Sequence, residues 1–419
     1  MIERDPAARA EMLSAWSSSR TLLLDMRDAD AFHARRLAGA VNLPRTTMSG
    51  RLHELPPRSR PLAVVLDPAP VACADEDAWY RAQLAWFTAD FKGNPWTLRG
   101  CVVGDDALFD DAAARSGFPV ATGAVNPTAR GRLWEPSDNV ARWLPEVEAR
   151  MAHRWGRGGR LLEGAARDGG ASSEPSSSSK MSSAASEPDD DDDDTAGDDD
   201  ATRPLCVDLG CGAGRDAVYA ALRGWRVLAL DSDAKGLARC AALAEAHGVG
   251  NRVAPVRVDL ERTDPADVFA TIGSTTSWAS LVKRADERAS AVDWASLVHG
   301  ASTDGASNAP PPDVAPNVSK NPVRAVLAVR FLQRRLALAL PSLLPAGAAV
   351  MWFHFMRGAE LTAVGRPNKA KDLLEDGELG RAFGAERGWT VVSDGATKLP
   401  DGRPVSEFVA VRDGSCESF

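Results

Sequence analysis

Between residues 204 and 259 the chain sets short apolar runs, a glycine cluster and acids in an order that few folds accommodate. Pro204-Leu205-Cys206-Val207-Asp208-Leu209 reads as a buried strand that runs into Gly210-Cys211-Gly212-Ala213-Gly214 and then a helix from Arg215 to Arg223. Trp225 to Leu230 is a second strand ending in Asp231, Ala234 to His247 a second helix, and Arg252 to Val258 a third strand ending in Asp259. Apolar strands separated by helical periods imply a parallel sheet, since crossing between parallel neighbours takes a helix's length of chain. The plan is α/β and doubly wound, with a ligand expected at the carboxyl ends of the strands.

The pattern continues after an interruption. Val323 to Arg330 reads as strand four, Leu332 to Leu340 as a helix, and Ala349 to Phe355 as strand five. Trp389 to Val392 and Glu407 to Val411 complete a Rossmann-like sheet of seven strands. Upstream, GRLWEPSDNVARWLPEVE is an amphipathic helix with Ser137 or Asp138 as N-cap and Val140, Trp143, Leu144 and Val147 on one face.

A second folded unit precedes this one. A helical Ala8 to Trp16 leads to the strand Thr21 to Asp25, a helix Asp28 to Arg35, and strands Ala40 to Leu43 and Leu62 to Leu66, again an α/β alternation. Two stretches have little apolar material to offset the entropy of ordering, 156–203 and about 274–321, and are expected to be disordered. The division is therefore 1–125, a linking helix 126–155, the first insertion 156–203, and 204–419 carrying the second.

Nine aspartates between Asp189 and Asp200 match the whole formal net charge of −9, so the remainder is about neutral. No basic footprint argues for nucleic acid. No apolar run reaches the roughly 18 residues of a membrane span, and the charged start MIERDPAARAEML lacks a secretory pattern. A cytoplasmic protein is expected, with organelle import left open. Cys73, Cys101, Cys206, Cys211, Cys240 and Cys416 form no CxxC pair, and six histidines complete no zinc spacing. No metal is expected.

A glycine turn alone does not choose its ligand. Here the third glycine follows the second by two residues, so the dinucleotide spacing GxGxxG is not met. VDLGCGAG, with an acid before the first glycine and another ending strand two, resembles class I S-adenosylmethionine-dependent methyltransferases. LGCGAGRDAVYAALRGWRVLALDSD is similar to their tellurite-resistance branch, as are Gly365-Arg366-Pro367 and the Leu373-to-Leu379 stretch. The resemblance implies S-adenosylmethionine as cofactor, held by Asp208, Gly210, Gly212, Gly214, Asp231, Asp259 and Leu260. Asp231 would accept from both ribose hydroxyls, Asp259 from the adenine amino group, and the Leu260 N–H would donate to a ring nitrogen. By analogy the acceptor is a small molecule or anion. Arg330 and His354, at the ends of strands four and five, are candidate catalytic residues, with Arg334 and Arg357 nearby.

LLLDMRDADAFHARRLAGAVNLP resembles a rhodanese domain through Asp25, Arg27, Phe32, Leu37, Gly39, Ala40, Asn42 and Pro44. That fold has three layers. Asp67 and Ala72 stand where the family has its cysteine and arginine, and Arg36 where a histidine is usual. Sulfur transfer needs a thiolate in that loop, and Cys73 lies six residues on, among acids. An inactive domain that recognises a protein partner is expected. A non-enzymatic adaptor, sulfur transfer through Cys73, and methylation of RNA or protein are the competing readings.

Overall fold

The structure, a computed structural model, describes residues 2–3, 5–19, 21–88, 95–155, 203–274, 278, 281–282, 292–294 and 322–413. The first expected insertion lies outside the described residues apart from Arg203, and most of the second does too. The chain divides into two compact units: 1–141 with 211–218 and 233–251, and 142–210 with 219–232 and 252–419. No helix among the described residues is long and apolar enough to cross a membrane.

The first unit contains a five-stranded, wholly parallel sheet. Its strands β1 (Ile2–Glu3), β2 (Leu22–Asp25), β4 (Val41–Asn42), β5 (Leu62–Leu66) and β6 (Leu98–Val103) run in the order β1-β6-β5-β2-β4. A separate antiparallel ribbon pairs β3 (Arg36–Leu37) with β7 (Val120–Ala121). Every residue of β5 is buried, as a central parallel strand requires. Its alternation divides two cores. Leu62, Val64 and Leu66 join Tyr80 and Phe87 of α3 (Glu76–Thr88). Ala63 and Val65 join Leu13 and Trp16 of α1 (Pro6–Ser19) and Phe109 of α4 (Asp106–Asp111). Helices therefore cover both faces, in three layers. The short α2 (Ala29–Ala34) begins where the Asp28 carboxylate accepts the Ala31 N–H at 2.8 Å. β1 and β6 escape the sequence pattern because one is two residues long and the other opens with Leu98-Arg99-Gly100.

The second unit holds the larger sheet, built from β8 (Leu205–Leu209), β9 (Arg226–Asp231), β10 (Val253–Arg257), β11 (Val292–Asp293), β12 (Val323–Val329), β13 (Ala349–Phe353), β14 (Trp389–Lys398) and β15 (Pro404–Arg412). The order is β11-β10-β9-β8-β12-β13-β15-β14, parallel through β13 and antiparallel for the last two. Among the described residues, eight strands thus replace the expected seven. The extra one, β11, is a two-residue edge pairing Val292 with Val256 inside the low-complexity stretch, and nothing so short leaves a periodic signal. Strands β14 and β15 are also longer than their apolar centres suggested, because their outer halves are polar. Helices α8 (Pro265–Ser274), α9 (Arg334–Leu343) and α10 (Glu378–Ala382) supply Phe269, Leu336, Leu340 and Leu379 to the core of this sheet.

Within the stretch 126–155 read as the linking helix, the helix itself is α5 (Asp138–Trp155). Its buried Glu148 accepts from Arg223 and, at 2.8 Å, from the Trp225 indole N–H. From β8 the chain steps outward to β9 and β10, then returns to β12 on the other side. That reversal leaves a crevice at the carboxyl ends of β8 and β12.

Candidate functional site

The crevice is where the glycine turn lies. β8 ends at Leu209, and the Gly210 N–H donates to the Leu230 carbonyl at 2.8 Å. Gly210, Gly212 and Gly214 have φ of 71°, 56° and 78°, a left-handed path that side chains resist. The outer two glycines are also pressed by neighbours. A Cβ on Gly210 would lie 2.7 Å from the Phe331 ring, and one on Gly214 2.2 Å from Cys240 Sγ. A Cβ on Gly212 would meet nothing within 4 Å. The turn is clamped at its ends and open at its middle, a cradle shaped by backbone. After it come α6 (Arg215–Leu222) and, following β9, α7 (Ala234–Ala246), which begins where the Asp233 carboxylate accepts the Lys235 N–H at 3.0 Å.

The acids sit at different depths. Asp208 is buried within β8, and Asp231 closes β9 half-buried. Asp259 does not end a strand. β10 stops at Arg257, and Asp259 is exposed, its Oδ1 accepting from the N–H groups of Glu261 and Arg262 at 3.1 and 3.3 Å. It caps the next turn, the common behaviour of an aspartate in a loop. Leu260 is buried, and its carbonyl accepts from Gln333 Nε2 at 3.3 Å. Gln333 Oε1 in turn accepts the Leu336 N–H at the start of α9, so one amide ties the loop after β10 to the loop after β12. Gln333 and Phe331 were not singled out in the sequence. A glutamine is a rare N-cap, and a lone aromatic after a strand reads as ordinary core.

On the other side of the crevice stand the candidates at the ends of β12 and β13. Arg330 is exposed and holds φ of 57°, a left-handed conformation uncommon for arginine. Its N–H donates to the Phe353 carbonyl at 2.7 Å. His354 is only 6% exposed. Its Nε2 is 3.0 Å from the Asp372 carbonyl, which can only accept, so Nε2 carries the proton. Burial pushes its pKa down, and the ring is neutral. Arg334 is committed to Glu378 at 2.6 Å and to the carbonyls of Lys371 and Leu373, and Arg357 to Glu375 at 2.9 Å. Both arginines hold the loop. Arg403, in the turn between β14 and β15, also belongs to this rim. It grips Asp401 at 2.7 Å, donates through Nη1 to the Arg366 carbonyl at 3.0 Å, and stacks 4.4 Å over Phe355. Hydrogen bonds from Arg403 hold the Asp401 pKa down, with a smaller pull from the charge of Arg330. Among the described residues no group of three or more His, Cys, Asp or Glu is placed to hold a metal ion.

Residues 206–298 match a family model described as a methyltransferase domain. No curated protein matches the chain. Similar solved structures include magnesium protoporphyrin IX methyltransferase (ChlM) from Synechocystis PCC 6803 with bound SAH. It is 14% identical, covers 50% of this chain and 74% of its own, and has a TM-score of 0.31. TehB from Haemophilus influenzae is 13% identical over 51% of this chain and 58% of its own, with a TM-score of 0.29. A geranyl diphosphate methyltransferase in complex with GPP and sinefungin is 13% identical over 50% and 71%, with a TM-score of 0.31. The cofactor assignment rests on the matched segment and on the glycine cradle, whose open middle and neighbouring carboxylate fit a cofactor of this kind. The chain is an enzyme with a methyltransferase domain, and its cofactor is S-adenosylmethionine.

Proposed function

We propose that this protein transfers the methyl group of S-adenosylmethionine to a small acceptor that carries negative charge. The observation that carries the reading is that Asp208, Gly210 and Asp231, at the ends of β8 and β9, share the carboxyl edge of one sheet with Arg330, at the end of β12. Gly210, Gly212 and Gly214 would let backbone approach the cofactor. Asp231 would accept from its ribose, and Asp208 would steady the turn. Leu260 would flank the adenine through its N–H, and Asp259 would reach it only after giving up part of its cap. When bound, the cofactor supplies an electrophilic methyl on a good leaving group. The protein's own task is then alignment and exclusion of water. Arg330 would hold the acceptor's negative charge. His354 positions the loop that carries Asp372, because its only hydrogen-bonding proton is already spent there.

Likeness to the tellurite-resistance branch belongs to this proposal, as does the rhodanese-like reading of residues 1–125. The parallel three-layer arrangement supports the latter. At the family's thiolate position, Asp67 donates its N–H to Gln83 Oε1 at 3.3 Å, and its carbonyl accepts from the same amide at 3.2 Å. That loop is fastened through the Asp67 backbone and offers no thiol at this position, which weighs against sulfur transfer.

Calorimetric titration with S-adenosylhomocysteine on wild type and Asp231→Ala tests the central claim. Binding that weakens at least tenfold in the variant supports it. A folded wild type that binds nothing would refute it.

A further inference from the structure

The turn that follows β10 spends nearly all of its polar groups on itself. The Asp259 carboxylate accepts the N–H groups of Glu261 and Arg262. The Asp259 carbonyl accepts the Thr263 N–H at 2.9 Å and the Thr263 hydroxyl at 2.8 Å. A trans peptide points its N–H opposite to its C=O. The Leu260 N–H, which shares a trans peptide with the Asp259 carbonyl, therefore faces out of the turn. Among the described residues nothing accepts from it. Leu260 is nonetheless only 5% exposed. Backbone donors on residues so buried are almost always paired, so this one is a donor in reserve.

Gln333 holds the other side of the same residue. Its Nε2 donates to the Leu260 carbonyl at 3.3 Å while its Oε1 accepts the Leu336 N–H, and Gln333 is 8% exposed. In the sheet, β9 and β8 lie between β10 and β12, so no ladder of backbone bonds sets the turn after β10 against the loop after β12. The Gln333 amide spans that gap. Its own loop is fixed in turn. The Arg330 N–H donates to the Phe353 carbonyl at 2.7 Å, and the Trp352 indole N–H to the Phe331 carbonyl at 2.9 Å. Both peptides that flank Leu260 are thus gripped through their carbonyls, one by Thr263 and one by Gln333.

Resting on the methyl-transfer reading above, we infer that Gln333 is a positioning residue for base selection: by fixing Leu260 it aims the spare N–H at the lone pair of adenine N1, and so refuses a base that lacks this lone pair. A site built around a hydrogen bond rejects an analogue that cannot make it far more strongly than shape alone would. Gln333 touches neither the base nor the methyl group in this role and acts through Leu260.

Calorimetric titration of the full chain with S-adenosylhomocysteine and with its 1-deazaadenine analogue, which keeps the amino group and replaces N1 by C–H, gives a selectivity ratio. Wild type should favour S-adenosylhomocysteine by about tenfold or more. Gln333→Ser keeps a hydroxyl that can cap the Leu336 N–H but is too short to reach Leu260. Gln333→Leu keeps most of the volume and gives up both bonds. Each should lower the ratio at least threefold, Gln333→Ser with the smaller fall in Tm. A role confined to capping α9 or filling the core would weaken both ligands alike and leave the ratio where it was. Either variant, folded and with the wild-type ratio, would overturn the inference. So would a wild type that binds both ligands equally. Failure of wild type to bind S-adenosylhomocysteine would instead bring down the methyl-transfer reading, and this inference with it.

Discussion

The Trp134 indole N–H donates to Nε2 of His247 across 3.0 Å, with both side chains buried and their rings edge to face. The bond needs the Nε2 lone pair, so His247 must be neutral. Burial lowers its pKa to about 4, with Arg130 as the next cause. An unfolded histidine titrates near 6.5, so between those values the unfolded chain binds the extra proton. Stability is therefore complete above pH 6.5 and falls as the pH drops toward 4. At about 1.4 kcal/mol per unit, the loss is on the order of 3 kcal/mol.

Urea midpoints at pH 7.5 and 5.0 check this. His53 and His354 are also shifted down by burial and add loss of the same sign, so the decisive quantity is the difference between proteins. His247→Gln, whose amide oxygen can still accept from Trp134, should lose less between the two pH values than wild type. Equal losses would mean that His247 does not carry the effect.

Glu148 offers a contrast between buried and exposed ion pairs. It is 5% exposed and serves Arg223 and Trp225 together. Glu148→Gln keeps the shape but removes the charge from a half-buried guanidinium, and should cost about 2–3 kcal/mol. Arg335 meets Asp264 at 3.3 Å with both side chains more than half exposed, and Arg335→Gln should cost less than about 0.5 kcal/mol. Urea unfolding of the two variants gives the comparison, and similar costs would contradict it.

Sulfur transfer makes a separate demand. On the rhodanese-like reading proposed above, Asp67 would stand where a persulfide forms; it has no sulfur, and burial raises its pKa with Asp28 and Asp25 adding to the effect. Wild type should show no thiosulfate:cyanide exchange above background. Cys73→Ser should be indistinguishable from it. Exchange in wild type that disappears in Cys73→Ser would reopen a catalytic role for the first unit.

What could be read beforehand follows from how much chain each feature uses. β5 and β8 are fully buried five-residue runs and stood out at once, as did the three glycines, because a left-handed turn leaves few residue choices. Asp231 fell where the second strand was expected to end. Asp259 could not be placed as well: one acid after a strand looks the same whether it faces a ligand or caps the next turn. Gln333, Phe331 and Arg403 were invisible for another reason. Each works through partners distant in sequence, Leu260 at 73 residues and Arg366 at 37 being two of them, and no local pattern encodes such a pairing.

The cradle itself gives the last prediction. Gly212 has φ of 56°, and a Cβ there meets nothing within 4 Å. Gly212→Ala therefore costs only the left-handed backbone penalty, about 1–2 kcal/mol, while its methyl enters the open middle of the turn. Gly210→Ala has the same penalty and adds a methyl 2.7 Å from Phe331, so it should be the less stable of the two. Stability and affinity should consequently part company. Gly212→Ala should lose S-adenosylhomocysteine affinity at least tenfold with a modest fall in Tm. Gly210→Ala combined with Phe331→Leu should recover part of the Tm lost by Gly210→Ala alone. Thermal melts with calorimetric titration on the three variants measure both quantities. Unchanged affinity in Gly212→Ala would place the cofactor somewhere other than over the middle of this turn.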